Sequence, residues 1–210
     1  MQKEYNLSKQ GIESAFASNV VGHQILVTLL LSLLKNTVIS HDTDVRIVVT
    51  SSSLHSVCRE LDLGLLTSPT PTKPASYDGI WRYGRSKLGD ILLTRELSRR
   101  LLTEAGADPA SRRIYVNAFF PGNIATEQMD VWKEYFGTVL GRLVKLFFSV
   151  FGQSEADGAA TAVYLATSPE VTKGDGMHGE YFIPIATKHQ TTPIAEDMAL
   201  ARAVWVGSVR

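Results

Sequence analysis

Two side chains in the middle of this 210-residue chain form a recognisable chemical pair. Tyr83 and Lys87 are four positions apart, so in a helix they lie one turn apart on the same face. A neighbouring ammonium favours the phenolate, which lets a phenol that normally titrates near about 10 exchange protons closer to neutral pH. Such a pair can serve as a general acid and base. Taken alone, the same spacing is also typical of a solvated surface contact.

The helix that would carry this pair, which we expect to run to about Leu102, is apolar on two sides. Its apolar residues form two opposite stripes, Leu88, Ile91, Leu92 and Leu102 on one side and Leu93, Leu97 and Leu101 on the other. A helix with two apolar faces is expected to be buried twice, against a sheet and against another helix.

Three short runs rich in apolar residues predict the strands of that sheet, at 44–50, 113–119 and 179–183. The order strand, long helix, strand indicates a right-handed crossover and a parallel sheet. The first run ends in three serines that include Ser52, at the sheet edge where ligands bind in open α/β folds. The serines could equally just terminate the strand, and the turn after the second run could be an ordinary strand-to-helix connection.

The remaining segments complete one α/β domain over 1–210. A helical pattern runs from Leu7 to Leu34, with Ser8 as a plausible N-cap, Asn19 inside it and an apolar run at 25–34 that we interpret as buried. Residues 54–80 read as a loop, with three prolines in 68–74. The apolar segment Met129–Phe151 could be a substrate lid, a core helix or a membrane-touching surface. After it, a capping box at Ser154 predicts a helix through Leu165, and Pro193 opens a predicted terminal helix.

Composition excludes several classes of function. The 21 basic and 21 acidic residues cancel, so no net field favours nucleic acid. The single cysteine, Cys58, cannot form an internal disulfide, which suits the cytoplasm. The five histidines lack metal-ligand spacing, so no metal site is predicted. The apolar run at 25–34 is too short to cross a bilayer, so no transmembrane segment is expected.

Four motifs in order resemble the short-chain dehydrogenase/reductase family, over nearly the whole chain. They are the Tyr83-x-x-x-Lys87 motif, Ser52 in Arg46-Ile47-Val48-Val49-Thr50-Ser51-Ser52, Asn19 in Asn19-Val20-Val21-Gly22, and the loop Pro121-Gly122-Asn123-Ile124-Ala125-Thr126. The wider pattern is similar to the retinol-dehydrogenase-like branch, through Ser86-Lys87-Leu88, Thr94-Arg95-Glu96-Leu97, Ser168-Pro169-Glu170 and Gly179-x-Tyr181-Phe182. Several fungal reductases of secondary metabolism look similar, more loosely.

The resemblance implies a three-layer Rossmann-like fold and an NAD(P)-dependent oxidoreductase that interconverts a carbonyl and an alcohol. Tyr83 would be the acid and base, and Lys87 would lower its pKa and hold the nicotinamide ribose. Ser52 would donate a hydrogen bond to the substrate oxygen, and Asn19 would position a relay water.

The cofactor would be NADP or NAD, with Pro121, Gly122, Ile124 and Thr126 lining its nicotinamide end. The apolar Met129–Phe151 segment suggests a lipophilic substrate. The resemblance also implies a homodimer that uses the apolar stripes of the Asn19 and Tyr83 helices.

The sequence departs from that family at its start. The glycine-rich turn that holds the pyrophosphate is missing, as is the asparagine-alanine-glycine strand before the Asn19 helix. At about 30 residues per strand-helix unit, about 90 residues of the usual fold would lie upstream. We therefore expect an N-terminally truncated fold with weak or no activity in these 210 residues, and the alternative function is a catalytically inactive remnant that acts through protein association.

Overall fold

A four-stranded sheet forms the centre of the chain, whose computed structural model describes residues 4–67, 75–124, 137–139, 141 and 152–207. The sheet has the order β1-β2-β3-β4. Its strands are β1 (Val45–Thr50), β2 (Ile114–Phe119), β3 (Tyr181–Ile183) and β4 (Thr187–Lys188). The first three are parallel, as predicted, whereas β4 pairs antiparallel with β3. The sheet is therefore mixed. Strand β4 was not predicted, because a two-residue strand leaves no periodic pattern in the sequence.

Helices cover both faces of the sheet. They are α1 (Ser14–His41), α2 (Ala75–Glu104), α3 (Pro109–Arg112), α4 (Glu155–Thr167) and α5 (Met198–Gly207). Alternate residues of β2 separate two cores, with Val116 and Ala118 on the side of α1, α2 and α5, and Tyr115 and Phe119 on the side of α4. This confirms the three-layer α/β fold and the β1–α2–β2 crossover unit.

The two central strands differ in burial. Every residue of β2 is buried, whereas most of β1 is only partly buried. Among the described residues, β1 pairs with a strand on one side only. The prediction of a strand covered on both faces is therefore right for β2 and only partly right for β1.

Helix α1 differs from the predicted helix at its start. Ser8 lies in a turn, where its Oγ accepts from the backbone N–H of Gln10 and of Ile12 at 3.3 Å. The helix begins at Ser14 because the buried carboxylate of Glu13 accepts from the backbone N–H of Ala15 and of Phe16, each at 3.0 Å. A carboxylate at this position also suits the positive end of the helix dipole. The Ser8 cap was therefore a wrong prediction.

The apolar run at 25–34 is largely exposed, which contradicts the prediction that it is buried. Leu29 is 76% exposed and Leu33 is 60% exposed. Apolar residues lie nearly all round this part of α1, whereas only one side of the helix contacts α2 and the sheet.

By length and composition alone, α1 could span a bilayer. It has 28 residues and a mean hydropathy of 1.6, and 17% of its most apolar window is buried. The expectation that this region is too short to span a membrane is wrong on length, because the helix extends well beyond the apolar run. One such helix is weak support for a span, since core helices of soluble proteins have the same composition.

The segment predicted as a loop at 54–80 contains regular structure at both ends. Short 3₁₀ turns cover Ser53–Val57 and Leu63–Leu66, and α2 already begins at Ala75. Most of the two apolar stripes of α2 are buried as predicted, but Leu102 is 40% exposed. The proline-rich residues 68–74 and nearly all of Met129–Phe151 lie outside the described residues.

One of the two predicted C-terminal helix starts is confirmed. Ser154 and Asp157 form the predicted capping box at the start of α4. Pro193 opens only a short 3₁₀ turn, Pro193–Glu196, and the terminal helix α5 begins at Met198, so the prediction that Pro193 opens that helix was wrong.

Candidate active site

Two glycines on α2 let neighbouring elements approach it closely. A Cβ on Gly84 would lie 2.6 Å from the carbonyl oxygen of Leu54, in the turn that follows β1. A Cβ on Gly89 would lie 2.6 Å from Cγ2 of Val20 in α1. Both distances are well inside van der Waals contact, which is about 3.5–4.0 Å between carbons. The Tyr83–Lys87 segment therefore lies between two close contacts, one towards β1 and one towards α1.

The Lys87 side chain ties α2 to the end of β1. Its buried Nζ donates to the backbone carbonyl of Thr50 at 2.9 Å and to Oδ2 of Asp90 at 2.9 Å. The same Nζ lies 5.8 Å from the ring centroid of Tyr83, within the range of a cation–π contact. The structure thus brings the predicted ammonium and phenol together at the carboxyl end of a parallel strand.

The serines after β1 have different roles. Ser51 is buried and its Oγ donates to the backbone carbonyl of Lys87 at 2.8 Å. Ser52 is partly exposed and caps the following turn, where its Oγ accepts from the backbone N–H of Leu54 at 3.2 Å. A hydroxyl that accepts in this way keeps its own hydrogen for another acceptor. Ser52 therefore has the donor capacity that its predicted role requires.

Asn19 contacts the Tyr83 helix from α1. It lies in a π-helical stretch, Ala17–Val21, and its Nδ2 donates to Oγ of Ser86 at 2.9 Å. Ser86 Oγ in turn donates to the backbone carbonyl of Tyr83 at 2.8 Å. π-helical turns are frequent at functional sites. The amide thus fixes α1 against the helix turn that carries Tyr83.

The predicted cofactor loop lies at the end of β2. Gly122 has a φ of +100°, and a Cβ there would collide with the Gln153 side chain, so the position favours glycine. Asn123 and Gln153 hold the loop through Asn123 N–H to Gln153 Oε1 at 3.1 Å and Gln153 N–H to Asn123 O at 3.0 Å. Ile124 forms an isolated bridge with Gln153, and Thr126 lies outside the described residues.

A cavity of about 590 Å³ opens at the carboxyl ends of the three parallel strands. Its lining includes His55, Phe120, Asn123, Tyr181, Ile183 and Thr192. Tyr83, Lys87, Ser52 and Asn19 are not among its lining residues. Ser53 does line it, so the cavity lies next to the turn that Ser52 caps.

Two of the lining side chains were not predicted from the sequence. His55 is buried, its Nδ1 lies 2.7 Å from the carbonyl of Ser52, and its ring packs edge-on against Tyr181 at 5.1 Å. Burial lowers the pKa of His55 and raises the pKa of Tyr181. His55 follows Ser52 by three residues in the sequence, and this spacing was the one sign that the two residues share a turn.

Two further charged residues beside Lys87 were also missed. Asp90 is fully buried, and His23 on α1 lies near it. The spacing of Lys87 and Asp90, i and i+3 on one helix, indicates an ion pair, whereas the His23 contact joins two distant helices. Among the described residues, no three His, Cys, Asp or Glu side chains are grouped to hold a metal.

Comparison with known proteins gives the family, although no family model matches the chain. Retinol dehydrogenase 14 of Homo sapiens is 34% identical over 97% of this chain. Short-chain dehydrogenase/reductase drtF of Aspergillus calidoustus is 30% identical and TIC 32 B, a chloroplastic short-chain dehydrogenase of Brassica napus, is 32% identical, each over 98% of this chain. The chain belongs to the short-chain dehydrogenase/reductase family. It spans 53%, 63% and 59% of these three relatives, respectively.

Proposed function

We propose that the chain carries the catalytic residues of an NAD(P)-dependent oxidoreductase, which interconverts a carbonyl and an alcohol on a small lipophilic substrate. The observation that supports this most is the position of Lys87. Its Nζ joins the end of β1, which leads into Ser52, to the helix that carries Tyr83. This contact joins the segments that carry three residues of the predicted set, which supports the proposal.

Each side chain would have a distinct part in the reaction. Tyr83 would give its phenolic proton to a carbonyl oxygen, or take one from an alcohol. The positive charge of Lys87 would stabilise the phenolate that remains on Tyr83. Ser52 would donate its free O–H to the substrate oxygen while negative charge develops there. Asn19 would hold α1 and Ser86 against the Tyr83 turn, so that the phenol keeps its position.

The residues present fit one end of a nicotinamide cofactor. Two of the three Nζ donors of Lys87 are used by Thr50 and Asp90, which leaves one for a ribose hydroxyl. Pro121, Gly122 and Ile124 would line the nicotinamide end, where the left-handed Gly122 lets the backbone approach a ligand. When bound, the cofactor supplies or takes the hydride. The sequence contains no glycine-rich turn for the pyrophosphate.

The substrate class, assembly and location are further parts of this proposal. Phe120, Tyr181 and Ile183 give the cavity an aromatic and apolar wall, which would suit the lipophilic part of a substrate whose reacting oxygen lies outside the cavity, at Tyr83. One relative is named for retinol. The exposed apolar face of α1 suits a homodimer contact, and a single buried thiol suits the cytoplasm. NADP or NAD as the cofactor and a role in secondary metabolism stay predictions.

Two assays on the same preparations test the proposed function. The first follows NADPH and NADH fluorescence during titration, and the second follows NADPH consumption with a panel of lipophilic aldehydes and ketones. We expect Tyr83→Phe to bind cofactor but lose turnover by about 10²-fold or more, and Lys87→Ala to weaken cofactor binding as well. Tyr164→Phe, on the far face of the sheet, is the matched control.

Two results would contradict the proposal. One is a protein that binds neither cofactor at about 1 mM, the upper end of ordinary KM values. The other is turnover that Tyr83→Phe leaves unchanged, since the phenol would then transfer no proton.

A further inference from the structure

The carboxylate of Asp90 lies buried between the Lys87 ammonium and a partly exposed histidine, His23. It is 0% exposed, and its Oδ2 accepts from Lys87 Nζ at 2.9 Å. Its Oδ1 lies 3.6 Å from Nδ1 of His23, whose side chain is 47% exposed. Lys87, Asp90 and His23 therefore form a continuous row from the interior beside Tyr83 to solvent.

The second oxygen of Asp90 is the unusual part of this row. It is buried and has no hydrogen-bond partner within 3.5 Å among the described residues. A buried carboxylate oxygen without a partner costs about 1–3 kcal/mol or more, so a nearby donor is strongly favoured. His23 is placed to be that donor, because a small rotation of an exposed imidazole closes a gap of 3.6 Å.

The surroundings of His23 favour its protonated form. The nearby carboxylate of Asp90 raises the pKa of His23, and this outweighs the opposing effects of partial burial and of the Lys87 charge. Among the described residues, the other groups that contact the row are backbone or neutral. They are the carbonyl of Thr50 at the end of β1, a backbone hydrogen bond of Asn19 on α1, and the Tyr83 ring on α2.

We propose that Asp90 and His23 are positioning residues that exchange protons between Lys87 and solvent. This inference rests on the proposed function of Tyr83 and Lys87. When Tyr83 has given its proton to a carbonyl oxygen, its phenolate takes one from the Lys87 ammonium. The Lys87 amine regains a proton from Asp90, which has received it from Nδ1 of His23, and His23 takes its replacement from water. Each transfer breaks one N–H or O–H bond and forms another, and all four side chains return to their starting forms.

The position of Asn19 is compatible with such a path. Its amide Nδ2 is engaged with Ser86 Oγ at 2.9 Å, so this donor is not directed at Lys87. Asp90, in contrast, contacts the Lys87 ammonium directly, and His23 lies one helical turn after Asn19 on α1. The exit to solvent along this side of α2 therefore needs no intervening water between Lys87 and His23.

The coupling is tested by titrating the histidine ring resonances by NMR. In the unmodified protein we expect the pKa of His23 to lie above its ordinary value of 6.5. Asp90→Asn should move it back towards that value, because the amide carries no charge and the main cause of the upward shift is lost. Asp175→Asn is the matched control, since Asp175 is 99% exposed and pairs with Arg112 instead. An unshifted His23 in the unmodified protein would overturn the coupling, even if Asp90→Asn fails to fold.

The relay itself is tested by the pH profile of turnover. His23→Gln changes an exposed position, and we expect it to reduce kcat by about tenfold, less than the loss of a direct general acid, and to remove one step of the profile. Asp175→Asn should leave the profile unchanged. A protein that neither binds NADPH or NADH nor turns over substrate would refute the proposed function and the relay with it. A profile unchanged in His23→Gln, in a protein that turns over substrate, would overturn the relay alone.

Discussion

Replacing Gly89 by alanine should separate α1 from α2 at the level of the candidate site. The added Cβ would lie 2.6 Å from Cγ2 of Val20 and 2.9 Å from Cε2 of Phe16, two side chains that are buried. Restoring ordinary contact of about 3.5–4.0 Å requires a movement of about 1 Å. Overpacking of this kind costs about 1–3 kcal/mol, and the better helix propensity of alanine returns about 1 kcal/mol. The net loss of stability should be about 1 kcal/mol.

The same movement should break a hydrogen bond of the candidate site while it lowers the free energy of unfolding only slightly. It would lengthen the hydrogen bond between Asn19 Nδ2 and Ser86 Oγ from 2.9 Å to beyond hydrogen-bond range. Urea unfolding measures the stability, and the side-chain amide resonances of Asn19 report the bond. Gly106→Ala is the control, because nothing lies within 4 Å of the Cβ it would add.

A double-mutant cycle with Val20→Ala identifies the contact. If the clash is real, Val20→Ala should cost less in the Gly89→Ala background than in the unmodified protein, by about 0.5–3 kcal/mol. A Gly89→Ala variant at least as stable as Gly106→Ala, with the Asn19 resonances unchanged, would refute the close packing of α1 on α2.

Three further predictions concern other parts of the chain. Ser154→Ala removes the cap of α4 and should lower the free energy of unfolding by about 1 kcal/mol, measured in urea; no change would show that the capping box is not formed in solution. Burial lowers the pKa of His55 below 6.5. The contribution of neutral His55 to stability is therefore complete above pH 6.5 and is lost as pH falls through the pKa of the folded state. Thermal unfolding across that range should show a weaker pH dependence in His55→Gln. Burial raises the pKa of the Cys58 thiol from 9.0 to about 11, so its thiolate fraction falls about 100-fold. Iodoacetamide should therefore label Cys58 far more slowly in the native protein than in urea. Equal labelling rates would show an accessible thiol.

Local patterns in the sequence were enough to find most of the scaffold. The β1–α2–β2 unit was predicted from a β-branched run, a doubly apolar helix and a second apolar run, because these patterns reflect burial on both sides of an element. The Ser154 cap was predicted because its partner, Asp157, lies three residues away. In both cases the residues that decide the structure are close together in the chain.

Features that depend on distant residues were not predictable in this way. The exposure of Leu29 and Leu33 depends on which sides of α1 have neighbours, and an apolar sequence does not specify that. The contact between His23 and Asp90 joins positions that are 67 residues apart. Glu13 replaced Ser8 as the helix cap because the chain before it bends into a turn, although serine is normally the favoured cap.

The arrangement of the candidate site depends on α2 more than on the sheet. Within two turns of this helix, Gly84 admits the turn after β1, Lys87 binds the end of β1, and Gly89 admits α1. The first two contacts position Ser52 at the strand end, and the third positions Asn19 on α1, relative to Tyr83. A change that moves α2 by even about 1 Å should therefore disturb all of these relationships together, and misplacement on this scale can cost about 10²-fold in rate. Because the sheet and its cores would remain packed, such variants should stay folded while the Tyr83 site loses its geometry.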